Sequence, residues 1–142
     1  MAGETAFTIL IVGPLVWGLV ASILEIFFVM QDEGGMHPLT HGLHAIPTCL
    51  LFAFVAMNVP AVMSLSFMGW MPDWLASIGI PIIVGLVATI KIKAAAAIVG
   101  GHGSVGEKFW HALTVGLFIA AGPFVWPLIV PMLPPILNYS WP

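Results

Sequence analysis

Three histidines open the second apolar segment of the chain in the pattern H-x3-H-x2-H: His37, His41 and His44. At 100° per helical residue, His41 lies about 40° from His37 and His44 about 20° to its other side, so one helix face carries all three. Imidazoles stacked in this way suit two chemistries, ligation of a transition metal or haem iron and the relay of a proton. Pro47 leaves the carbonyl of Leu43 without its helical donor. A ligating imidazole needs such an acceptor for its second N–H. Glu25 is the only charge in the first apolar run, and His111 stands inside the last. A carboxylate in lipid must be neutral, ion-paired or bound to a metal. Glu25, His41, His44 and His111 are therefore a candidate ligand set for a divalent transition metal. Alternatively, His111 with His41 or His44 would hold a b-type haem between two helices. Haem would leave Glu25 unexplained, and the chain has no Arg for the propionates.

Other ionisable residues join this layer. Lys91 and Lys93 are about 200° apart on a helix, so only one can face a bundle interior and pair with Glu25, while the other snorkels to the interface. Glu107 shares a helix face with His111 at i,i+4. Ser104-Val105-Gly106-Glu107 also fits a capping box, which gives Glu107 a structural role at a helix start. The run Gly101-His102-Gly103-Ser104-Val105-Gly106 matches G-x-G-x-x-G by letter. That motif needs a strand before it, and here an apolar helix precedes it, so the run reads as a flexible turn.

The elements that must position these groups are membrane helices. The chain has 142 residues, 61% hydrophobic and 6% charged, with a mean hydropathy of +1.12. A soluble domain carries roughly 25% charged residues, so this composition cannot solvate a globular surface. The length suits about four spans of roughly 20 residues. The reading is an all-α, single-domain, four-helix transmembrane bundle. Its spans cover about 6–30, 37–59, 73–99 and 105–130, and an interfacial connector covers about 60–72. Pro38 suits the first turn of span two, and Asp73 suits the N-cap of span three. Pro81 should bend span three. Pro123, Pro127, Pro131, Pro134 and Pro135 should make span four irregular beyond Gly122. Trp70, Trp74, Trp126, Tyr139 and Trp141 are expected at interfaces. Gly18 with Ser22, Ala76 with Gly79, Gly85 with Ala88, and Ala94 to Ala97 permit close helix approach. The first segment is too long for a signal-peptide core and lacks a basic leader, so it reads as a retained span.

Call the face that holds the N-terminus side A and the other side B. Short hairpins then bring Glu25, His44, Lys91, Lys93 and His111 to depths of roughly 8–12 Å below side B. All three lysines lie at this end, which by the positive-inside rule makes it cytoplasmic and both termini extracytoplasmic. With three Lys and no Arg, nucleic-acid binding has no electrostatic basis. Lone Cys49 excludes an intrachain disulfide and a thiolate cage.

Three functions fit these features. The first is a structural or accessory subunit of a membrane assembly, with the lipid bilayer and either further copies of itself or a larger complex as partners, and the polar layer fixing helix register. The second is a metal- or haem-binding membrane protein. The third is a proton or small-ion transporter component, although the polar residues stop halfway through one copy. The four-span size is similar to that of small multidrug exporters and fluoride channels, but none of their motifs accompanies it, and size alone implies no function.

Overall fold

The computed structural model describes residues 8–32, 38–65, 70–99, 108–138 and 140–141, without the side chains of 38–43, 95–99, 137–138 and 140–141. The described chain is nearly all helical, at 89%, with five helices. A two-residue strand β1 (Ile9–Leu10) precedes α1 (Val12–Asp32), α2 (Pro38–Met57), α3 (Val59–Leu65), α4 (Asp73–Val99) and α5 (Phe109–Ile129). Two 3-10 turns, Val130–Met132 and Pro135–Asn138, lead to β2 (Ser140–Trp141). β1 and β2 pair antiparallel, Ile9 with Trp141 and Leu10 with Ser140, which ties the two ends of the chain together.

Among the described residues, three helices are long and apolar enough to cross a membrane: Val12–Asp32, Asp73–Ala94 and Phe109–Met132. A fourth candidate is α2 with α3, which meet at an 83° bend between Met57 and Val59. Asn58 sits in that break, and Pro60 follows it without an N–H to carry the α2 ladder onward. α3 therefore leaves α2 at a steep angle and packs against α4.

α1 packs along α2 and α4 along α5, while α2 also touches α4 and α5, and α1 touches α5. Small residues let the backbones meet. A Cβ on Gly85 would lie 2.5 Å from the carbonyl oxygen of Gly116 and 2.8 Å from the Cβ of Ala120. One on Gly18 would lie 2.9 Å from the Cα of Leu50. Gly79 differs, for its Cβ would meet only Leu75 of its own helix, at 3.4 Å. Ile119, Val115 and Cys49 are fully buried at the centre, with Ser22, Pro14 and Pro81.

Three local expectations change. α4 starts at Asp73, but the carbonyl of Pro72 accepts from the N–H groups of Leu75 and Ala76. Pro72 is thus the residue that enters the helix, and Asp73 stands in the first turn, where its charge complements the helix dipole. α5 starts at Phe109, four residues after Val105, and continues past Pro123 and Pro127 to Ile129. Trp126 is not an interfacial anchor. It is buried with Trp17, Ala53 and Met57, and Gly13 gives it room, since a Cβ there would lie 2.7 Å from the indole nitrogen. Trp70 and Trp74 are exposed at the start of α4.

Candidate functional site

Asp32, the last residue of α1, is the centre of the polar end. The N–H of Lys108 donates to its Oδ2 at 2.9 Å. The Nδ1 of His111 lies 2.6 Å from the same oxygen. A carboxylate only accepts, so Nδ1 carries the hydrogen and Nε2 is the ring's open nitrogen. The Lys108 ammonium lies 3.1 Å from Oδ1 as a charge contact rather than a directed hydrogen bond. The Asp32 side chain is 1% exposed and that of Lys108 67%.

The local sequence explains this convergence. Lys108 is the N-cap of α5, and its own side chain makes no capping bond. The first N–H groups of a helix need acceptors and favour a negative charge nearby. Asp32 supplies both from another helix. One turn into α5, His111 also lies flat against Phe28 of α1, with ring centroids 4.3 Å apart and an interplanar angle of 7°. Phe28 and Asp32 are four residues apart on α1, so one face of α1 offers the stacking ring and the carboxylate in register.

Glu25 lies two turns further from the end of α1 and is 5% exposed. It belongs to the buried stripe Gly18, Ala21, Ser22, Glu25 and Val29, which leads to Asp32. Ser22 is satisfied locally, donating to the carbonyl of Gly18 at 2.7 Å. His44 is exposed on α2. The hydroxyl of Thr48 donates to the backbone carbonyl of His44 at 2.7 Å. The side chain of His41 and all of His37, Ser104 and Glu107 fall outside the described residues.

Neither lysine of α4 enters the bundle. Lys91 and Lys93 are both exposed, and Ile92 between them is buried. Each lysine is therefore about 100° off the inward direction, one on either side. Thr89 and Ala88 face inward one turn earlier, and the hydroxyl of Thr89 donates to the carbonyl of Gly85 at 2.9 Å. Among the described residues, no three His, Cys, Asp or Glu side chains form a group able to hold a metal. The Asp32–His111 pair offers one oriented nitrogen, Nε2, with one face of the ring covered by Phe28.

Two residues matter more than their sequence context suggests. Asp32 reads as part of a polar turn with Gln31 and Glu33. The available signal is its spacing of seven from Glu25, which places both on one helix face. Asn58 reads as a leftover polar group towards side A. It is buried, accepts from the N–H of Leu10 at 2.7 Å, and donates to the carbonyls of Leu10 at 3.1 Å and Phe54 at 3.0 Å. One side chain thus pins β1 to the end of α2. No protein-family model, curated protein or solved structure matches the chain.

Proposed function

We propose that the protein is a four-span membrane subunit with a structural or accessory role in a larger assembly, and that its polar end fastens helices together. The observation that carries this reading is the use of Asp32. Its buried carboxylate meets a backbone N–H, an imidazole and an ammonium, all from the start of α5. An acid held in this way joins two helices and sets their register. Asn58 ties β1 to the C-terminal end of α2 with uncharged bonds. The outward faces support the rest of the proposal. α1 exposes Leu15, Leu19, Ile23, Phe27 and Met30, and α4 exposes Ile78, Ile82, Leu86 and Ile90. Such faces suit lipid and neighbouring helices alike. In this account side B is cytoplasmic, because Lys91, Lys93 and Lys108 lie there.

The experiment is native mass spectrometry of the tagged protein, extracted from its own membrane in a mild detergent, with metal analysis and a visible spectrum of the same sample. The expected result is a discrete assembly several times heavier than the 15.1 kDa chain, with no stoichiometric metal or haem. A single chain carrying stoichiometric metal or haem, lost in His41→Ala or His111→Ala, would replace this reading with a cofactor site. Proton or ion flux in reconstituted vesicles that Glu25→Gln abolishes would replace it with transport.

A further inference from the structure

The fastening at Asp32 uses one nitrogen of His111 and leaves the other open. Nδ1 meets the Asp32 carboxylate at 2.6 Å, so Nε2 carries a lone pair and accepts. Nothing among the described residues bonds Nε2, and the side chain is 22% exposed. Two contacts fix the ring: the carboxylate at its edge and Phe28 flat against one face, with centroids 4.3 Å apart. The acceptor is thus held in place by groups that the fold already needs. His111 is the third residue of the apolar stretch Phe109–Met132, so it lies about 3 Å inside that end of the span. The residues around it are aromatic. Phe109 and Trp110 are exposed, with ring centroids 5.5 Å apart. Phe27 is exposed beside Phe28, at 5.8 Å.

We propose that His111 and these rings bind the head group of a lipid-soluble hydroquinone, with one ring hydroxyl donating to Nε2. The open acceptor decides what can sit there. Phosphate and ester oxygens of phospholipids only accept, so they cannot satisfy an imidazole lone pair. Water can donate, but it gains nothing from the exposed rings. A hydroquinone brings a hydroxyl donor on an aromatic body, and offset or edge-on ring contacts are favourable. Its apolar tail dissolves in the bilayer, which delivers the head group to this depth. The contact is a hydrogen bond, and no electron or proton transfer is part of it. The inference rests on the membrane-spanning reading, adds a ligand to the subunit role, and needs neither metal nor haem.

The test uses the full chain in phosphatidylcholine nanodiscs and two radiolabelled probes, decylhydroquinone and its dimethyl ether. The ether keeps the ring and the tail but has no donor. Retention of each probe is measured above that of protein-free nanodiscs. The wild-type protein should hold decylhydroquinone roughly five-fold more tightly than the ether, as expected for one hydrogen bond. His111→Phe keeps a ring against Phe28 and should hold both probes as weakly as the wild type holds the ether. Trp110→Ala should weaken both probes alike, because it removes a ring contact and keeps the acceptor. NMR of isotope-labelled histidine should show the Nε2 signal of His111 shift with decylhydroquinone and stay in place with the ether. Equal retention of the two probes by the wild type would overturn the proposal, and so would an Nε2 signal that neither probe moves. The two-probe comparison on the wild type stands even if His111→Phe fails to fold. Resistance to carbonate extraction tests the spanning reading separately, and the mass of the extracted assembly tests the subunit role.

Discussion

Gly85→Ala should loosen the α4–α5 pair, although alanine is the better helix former. The new methyl would lie 2.5 Å from the backbone oxygen of Gly116 and 2.8 Å from the Cβ of Ala120. An ordinary contact begins near 3.4 Å, so the helices must part by about 0.9 Å, the difference between 3.4 and 2.5. The obstacle is backbone and cannot rotate away. Overpacking of this kind costs about 1–3 kcal/mol, and the upper part of that range applies where backbone must move. Better helix propensity returns at most ~1 kcal/mol. The net expectation is a loss of about 2 kcal/mol. Gly79→Ala on the same helix is the control, because its methyl would meet only Leu75 at 3.4 Å. It should be neutral or stabilising by up to ~1 kcal/mol. Steric-trap unfolding in bicelles measures both variants against the wild type. Equal stability of the two would refute the close α4–α5 crossing as drawn.

Asn58→Leu removes three hydrogen bonds that hold Leu10 and Phe54. Hydrogen exchange at Leu10 and proteolysis ahead of α1 should both speed up, with a local cost of about 1–3 kcal/mol, while exchange inside α4 and α5 stays slow. Unchanged protection at Leu10 would mean that the strand pairing alone holds the segment. Trp17 donates from Nε1 to the carbonyl of Phe118 at 2.8 Å and stacks on the Phe118 ring. Trp17→Phe keeps a ring for the stack and should cost about 0.5–1.5 kcal/mol for the lost bond; a loss beyond 3 kcal/mol would show that the indole matters mainly through its volume.

Apolar periodicity and turn residues made the helices legible. Short hairpins between long helices leave few ways to arrange the ends, and they bring Asp32, Lys108 and His111 to one of them. The partners at that end were not legible. Asp32 stands beside Gln31 and Glu33, and helix-terminal acids in such runs are usually solvated. Nothing local shows that the end of α1 meets an uncapped α5. The lysines could be paired with Glu25 on paper because their 200° separation allows one to face inward; burial of Ile92 turned both away. Proline content suggested that α5 would fail after Gly122. A helix buried against neighbours can lose single backbone bonds and persist, and Trp126 docked on Gly13 holds this one beyond its two prolines. His44 faces outward because the buried positions near it on α2 are Ala45 and Cys49.

The fastening role of the polar end is tested most directly by a double-mutant cycle on Asp32 and His111. Asp32→Ala, His111→Ala and the double variant are unfolded under one set of bicelle conditions. The Phe28 stack contributes equally on both sides of the cycle and cancels. A hydrogen bond to a charged group contributes about 1.5–3 kcal/mol, and partial exposure of the imidazole lowers this towards the smaller value. The account predicts a favourable coupling of about 1–2 kcal/mol, with both single variants less stable than the wild type. Coupling indistinguishable from zero, with His111→Ala as stable as the wild type, would contradict it.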